Sequence, residues 1–200
     1  MLKLIAWDFD GVLNRGFQGD FFAWQEGFRA DIGADPERFT DFVWAQGRFD
    51  AVLTGRYDLL DLLEEWRAAH AVTLPARHVL DWWLARDCVL DPQVTAWASA
   101  CALPGVIATN NDHHRAGFIW QVLGAHRFQR IFASGPMGVK KPDPGFYAEI
   151  EAWSGVAPSD ILLIDDAEKN IKAALARGWR VFHFTDETRA ELPELLGIDA

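Results

Sequence analysis

Residues 2–7 are apolar apart from Lys3 and run without a break into Asp8-Phe9-Asp10-Gly11. A strand on a half-solvated sheet alternates apolar and polar side chains. An unbroken apolar run predicts a strand covered on both faces, the condition of a parallel sheet. The pattern recurs at 161–164, four apolar residues ending at Asp165-Asp166, and at 104–108, which ends at Thr109-Asn110. Shorter strands are predicted at 130–133 and 180–184. Helical patterns lie between them: from Asp91-Pro92 with Val94, Trp97, Ala98 and Cys101; 112–123, closed by Gly124; from Asp143-Pro144 with Phe146, Tyr147, Ile150 and Trp153; 167–177, closed by Gly178; and a last one near 187–196. Strand–helix alternation with short connections predicts an α/β fold, a Rossmann-like doubly wound parallel sheet with right-handed crossovers.

Residues 16–90 break the alternation. Asp20 opens a segment with Phe21, Trp24, Phe28 and Ile32 on one face. Asp35-Pro36 starts a second, with Phe39, Phe42 and Val43. Asp58 caps a third, with Leu59, Leu62, Leu63 and Trp66. A fourth covers 77–86, with Val79, Leu80, Trp82 and Trp83. Caps, early prolines and closing glycines fit helix start and stop rules, and no strand is predicted here. The expected organisation is a core made of 1–15 and 91–200, with 16–90 inserted as a helical subdomain.

The 200 residues carry 29 Asp and Glu against 19 Lys and Arg, a net charge of −10. That argues against a nucleic-acid or anionic-membrane binder, which wants a basic stripe. A small phosphorylated ligand is compatible with it, because one local cation and a metal outweigh the global field. No apolar run of membrane-spanning length occurs, and the N-terminal run lacks the form of a signal peptide. Cys88 and Cys101 make neither a metal cluster nor a disulfide framework, and they read as small packing hydrophobes. The expectation is a cytoplasmic protein, monomeric or weakly homodimeric. The ten tryptophans read first as packing residues.

In an open parallel sheet, ligands bind beyond the carboxyl ends of the strands. This sequence places Asp8 and Asp10, Thr109 and Asn110, and Asp165 and Asp166 at those ends, with Lys140-Lys141 in a loop before a helix. Each has a plainer reading: Asp10-Gly11 as a turn, Asn110, Asn111 or Asp112 as a helix cap, the lysines as a solvated loop, Asn170 as an exposed helix residue rather than one that holds the active-site loop through hydrogen bonds. Their convergence on one rim is what carries the argument. Several acids together need a counter-charge, and hard oxygen ligands suit Mg2+, which pairs with substrate phosphate. Thr109-Asn110 before a helix start makes an anion cradle. His70, His78, His113, His114, His126 and His183 show no metal-ligand spacing. Nucleophile-elbow, P-loop and dinucleotide glycine motifs are absent.

Asp8-Phe9-Asp10-Gly11-Val12-Leu13, Thr109-Asn110-Asn111, Lys141-Pro142-Asp143-Pro144 and Asp165-Asp166 resemble, in order and spacing, the four motifs of the haloacid dehalogenase-like (HAD) hydrolase superfamily. The resemblance spans the whole chain. The helical insert resembles that family's type 1 cap, and Phe49-Asp50 and Thr54-Gly55-Arg56-Tyr57 resemble the turn between its cap helices. The nearest likeness is to its small-molecule phosphatases, the group that includes bacterial glucose-1-phosphate phosphatase and the N-terminal phosphatase domain of epoxide hydrolase.

The resemblance implies a magnesium-dependent phosphatase acting on a small phosphorylated metabolite, such as a sugar phosphate, through a phosphoaspartate. Asp8 is the implied nucleophile. Asp10 is the implied general acid and base, with its backbone carbonyl on the metal. Thr109 and the Asn110 backbone hold phosphoryl oxygens, and Lys141, favoured over Lys140 by its Lys-Pro-Asp-Pro register, bridges nucleophile and phosphoryl group. Asp166 binds magnesium, with Asp165 beside it directly or through water. A phosphomutase and a non-catalytic phosphometabolite-binding member use the same motifs and stay open. Arg15, Trp24, Trp44, Arg48, Arg56 and Tyr57 are candidate specificity residues.

Overall fold

The fold is described from a computed structural model covering residues 1–18, 21–124 and 127–198. Asp20 and His126 lie outside the described residues. In chain order the elements are β1 (Leu4–Trp7), a hairpin of β2 (Phe17–Gln18) and β3 (Phe21–Phe22), α1 (Phe28–Ile32), α2 (Pro36–Trp44), α3 (Arg48–Leu53), α4 (Leu59–Ala69), α5 (Ala76–Asp87) and α6 (Pro92–Ala100). Then follow β4 (Gly105–Thr109), α7 (His113–Leu123), β5 (Ile131–Ala133), α8 (Ser134–Met137), α9 (Pro144–Ser154), β6 (Ile161–Asp165), α10 (Glu168–Ala176), β7 (Arg180–His183) and α11 (Leu192–Leu196).

Five strands form one parallel sheet in the order β5-β4-β1-β6-β7. All four residues of β1 and all five of β4 and β6 are buried, as strands covered on both faces must be. One apolar cluster, with Ile5, Trp7, Ile107, Ile119 and Leu162, lies on one face. Another, with Leu4, Ala6, Phe146, Tyr147 and Ile150, lies on the other. Connections leave the central β1 toward β4 on one side and reach β6 on the other, so the strand order reverses beside β1. That is where a crevice opens at the carboxyl ends.

The helix starts follow local chemistry. Asp35, Asp58, Asp91, Asp112 and Asp143 each accept a backbone N–H from the first turn of the helix that follows. Residues 24–84 gather a third apolar cluster of their own, with Trp24, Phe28, Phe39, Trp66 and Trp83 fully or almost fully buried. Phe39 stands edge-on to Trp66 at 4.8 Å and to Trp83 at 5.1 Å between ring centroids, the favoured aromatic geometry.

Four expectations are corrected. The β2–β3 hairpin stands where no strand was predicted. The first helical segment is split: Gly27, at φ +82°, turns the chain between a 3-10 turn at Ala23–Gln25 and α1, a conformation that costs other residues more. The short helices α3 and α8 were not foreseen. The last helix is confined to 192–196 behind a 3-10 turn, with Pro193, which has no N–H to donate, in its first turn. Among the described residues no helix is long and apolar enough to cross a membrane.

Candidate active site

The strand-end residues singled out from the sequence lie at the carboxyl edge of the sheet. Asp8 follows β1, Thr109 ends β4 and Asp165 ends β6. Between them stands Lys141, 1 % exposed. Its Nζ lies 2.8 Å from Asp8 Oδ2 and 2.6 Å from Asp165 Oδ2. Asn110 fixes the loop that carries this lysine: its Nδ2 donates to the Lys141 carbonyl at 2.9 Å, and its Oδ1 accepts the Lys141 N–H at 2.8 Å. The Asn110 side chain is therefore engaged in positioning Lys141. Lys140 pairs instead with Asp50 of α3. Burial separates the two adjacent lysines.

Asp165 is fully buried, and three donors crowd it with four contacts: Lys141, the Ala167 N–H at 2.9 Å, and Asn170 Nδ2 at 3.0 and 3.1 Å to its two oxygens. Asn170, readable from sequence as a surface residue, is 3 % exposed and holds this loop. Asp166 remains open to solvent. A Cβ on Gly11 would lie 2.2 Å from Asp166 Oδ2, and Gly11 has φ +80°. Only glycine lets the first loop and the Asp166 carboxylate approach this closely.

Carboxylate oxygens of Asp8, Asp165 and Asp166 lie within 4.8 Å of one another. Burial raises the Asp8 carboxyl well above its ordinary range; Lys141 works against that shift and Asp165 adds to it. Burial and then Asp165 raise Asp166. Burial opposes the Lys141 charge, yet Asp8 and Asp165 outweigh it and hold the ammonium above its usual range. Three carboxylates thus gather around one buried lysine, more negative charge than it balances. The donor set, all hard oxygen with one open carboxylate, fits a magnesium ion.

Asp10 is organised by Asn111 of the second motif and by two residues that sequence reasoning did not reach, Asn14 and Arg115. Its Oδ1 accepts from Asn14 Nδ2 at 2.8 Å and from Arg115 Nη2 at 2.6 Å, and its Oδ2 accepts from Asn111 Nδ2 at 3.0 Å. Asn111 also donates to the Thr109 hydroxyl at 2.6 Å. Arg115 pairs with Asp87 at the end of α5 as well. Asn14 ties the two connections of the insert, donating to the Asp87 carbonyl at 3.0 Å and accepting the Val89 N–H at 2.7 Å. Arg115 left one signal in the sequence: a cation in the first turn of a helix is unfavourable, so it needs a partner elsewhere. Asn14 and Asp87 left none.

Above Asp10 is a cavity of about 230 Å³. Phe22, Trp24, Trp44, Phe49 and Trp83 of the insert form its wall, and Asp10, Asp87, Asn110, Asn111 and Arg115 form its floor. Of the candidate specificity residues, Trp24 and Trp44 reach it. The others pair elsewhere: Arg15 with Asp91 and Asp186, Arg48 with Glu65, Arg56 with Thr54 and Asp50, Tyr57 with Glu65. His114 and His113, without metal spacing in sequence, are brought within 3.2 and 3.5 Å of Asp58 at the seam between insert and core. Cys88 packs at the core margin, where burial, and then Asp10, push its thiol up to about 11, leaving it unreactive at neutral pH.

The chain resembles proteins of known activity over part of its length. It is 36% identical over 72 residues to a sesquiterpene phosphatase of Aspergillus oryzae, a match covering 35% of this chain and 37% of that protein. It is 38% identical over 66 residues to a flavin mononucleotide hydrolase of Arabidopsis thaliana, covering 32% of this chain and 27% of that one. Matches to curated relatives thus span well under half of either partner. A HAD family enzyme of Bacteroides thetaiotaomicron, crystallised with magnesium and inorganic phosphate, superposes with a TM-score of 0.76 at 17% identity, over 96% of this chain and 99% of that one. The profile of the haloacid dehalogenase-like hydrolases matches residues 2–178, and the chain belongs to that family.

Proposed function

We propose that this protein is a magnesium-dependent phosphomonoesterase that works through a phosphoaspartate at Asp8, with residues 16–90 as its cap. One observation carries the reading. Asp8 is aligned by a buried ammonium and stands beside an open carboxylate, at a centre short of positive charge. The phosphatase relatives and the magnesium- and phosphate-bound neighbour support the same reading.

Asp8, Asp166 and the Asp10 backbone carbonyl would hold the ion, with Asp165 as their support. Bound there, magnesium would neutralise charge on the phosphoryl oxygens. Phosphoryl transfer needs positioning and charge balance more than covalent machinery. Lys141 favours the ionised form of Asp8 against burial and aims it, and places a positive charge where phosphoryl oxygens arrive. The Thr109 hydroxyl and the N–H groups of the loop after it cradle those oxygens. An Asp8 oxygen forms a bond to phosphorus while the bond from phosphorus to the ester oxygen breaks, and Asp10 gives that oxygen its proton. Water then attacks the same phosphorus. Its proton returns to Asp10, and the bond to Asp8 breaks, releasing inorganic phosphate and the free carboxylate. Splitting the reaction in two follows the logic of covalent catalysis.

The test is phosphate release from acetyl phosphate with magnesium and with a chelator, together with mass mapping of the quenched enzyme. Expected are loss of turnover in chelator, recovery with magnesium, and a phosphoryl group on Asp8. Full turnover in chelator, or the label on Asp10, defeats the assignment.

A further inference from the structure

The cavity above Asp10 is built from two unlike surfaces, and together they select a leaving group. Its wall is aromatic: Trp44 lies 4.7 Å from Phe49 and 5.9 Å from both Phe22 and Trp83, ring centroid to ring centroid. These rings brace one another, so the wall is preformed. Its floor is polar but already satisfied. Asn110 is bonded at both ends to the Lys141 backbone, Asn111 to Asp10 and Thr109, and Arg115 to Asp10 and Asp87.

A hydroxyl-rich leaving group would lose its water here and meet ring faces, with few free partners among the described residues. Polar groups buried without partners are costly, and a site of this kind rejects them. Anionic leaving groups fare no better: the two floor carboxylates and one guanidinium sum to −1, which disfavours a second phosphate or a carboxylate. A cationic head would draw on that charge and on the rings, which makes the choline ester the sharpest competitor in the test below. A flat or unsaturated hydrocarbon meets no such penalty, and it stacks on the rings.

Resting on the phosphatase reading, we propose that the substrate is the phosphate monoester of an uncharged, largely hydrocarbon alcohol, and that Trp44 and Phe49 determine this specificity. A sugar phosphate, which the motif resemblance implies, would find its hydroxyls set against these rings. The cavity wall offers mainly ring faces and one buried N–H without a partner, at Trp83 Nε1, where a sugar would need several such groups.

The experiment compares kcat/KM for geranyl monophosphate with glucose 6-phosphate, phosphoserine, phosphocholine and a nucleoside monophosphate, with acetyl phosphate as a reference too small to reach the wall. Geranyl and glucose 6-phosphates are both primary alkyl esters, so leaving-group acidity does not decide the comparison. The geranyl ester is expected to lead the others by at least about tenfold. Trp44→Ala is expected to lower the ratio of geranyl to acetyl phosphate activity about tenfold, with Trp44→Phe restoring most of it. Preference for the hexose, amino-acid, choline or nucleoside ester overturns the inference, as does a Trp44→Ala variant that leaves the ratio unchanged. These results leave the phosphatase reading standing if acetyl phosphate is hydrolysed. If it is not, both readings fall.

Discussion

On the sheet rim, Lys141, Asp8 and Asp165 are buried and held by ion pairs of 2.6–2.8 Å. In the insert, Trp24, Phe28, Phe39, Trp66 and Trp83 are as deeply buried and hold one another by edge contacts. Of these residues Trp24 and Trp83 line the cavity above Asp10, which the rim reaches through Asp10 and Asn110. Charge at the rim is directional: moving one partner leaves another charge buried and unpaired, a severe penalty. Apolar packing in the insert is additive and tolerant of volume-conserving change. A reaction centre needs the first kind of order, and a pocket that chooses among leaving groups can be built from the second.

The comparison breaks most sharply at Asp8. Asp8→Asn turns the proposed nucleophilic carboxylate into a neutral amide, and turnover should fall by at least about 10⁴-fold, together with loss of the phosphorylated intermediate in single-turnover mass spectrometry. Lys141→Met should abolish activity and also destabilise the fold by about 3–5 kcal/mol in urea titration, because Asp8 and Asp165 lose their ammonium. Asp10→Asn should slow turnover about 10²–10⁴-fold, with the smaller deficit on aryl phosphates, whose leaving groups need less protonation. An equal deficit on alkyl and aryl esters would count against a proton-transfer role.

Away from the cleft, Asp91 gives the pH counterpart. It is 2 % exposed, caps α6 and receives Arg189 at 2.6 and 2.8 Å. Burial raises its carboxyl, but the bonds from Arg189 and the Val94 N–H outweigh that and leave it below the usual range. Its folded pKa is depressed, so its stabilisation is present above the unfolded value near 4 and is lost as pH falls through the folded one. Asp91→Asn should cost about 1–3 kcal/mol at pH 7 and flatten the acid limb of the stability profile. The smallest effect belongs to Lys140→Ala. Its pair with Asp50 is partly solvated, and the change should stay within about 0.5 kcal/mol in the same titration. A large loss there would make the seam between insert and core as important as the rim.

Much of the architecture was legible because it rests on local bonds. A helix cap spans two or three residues, so Asp35, Asp58, Asp91, Asp112 and Asp143 announce themselves. Burial on both faces leaves an unbroken apolar run, so β1, β4 and β6 do as well. The split at Gly27 was lost because Trp24, Phe28 and Ile32 keep helical spacing across a break that one left-handed glycine makes. The β2–β3 hairpin was lost because its strands, two residues each, are too short to show a period.

The sequence by itself determined that a parallel sheet would carry carboxylates, a threonine and a lysine to one edge, because alternation of strand and helix and the residues ending each strand are written along the chain. Tertiary structure decided which of two adjacent lysines reaches Asp8, since only Lys141 has its backbone clamped by Asn110, 31 residues earlier in the chain. It also decided that Arg115 would join Asp10 to Asp87, and that rings of the insert would wall the cleft. These contacts depend on where separately formed helices come to rest, and packing across the whole molecule fixes that position.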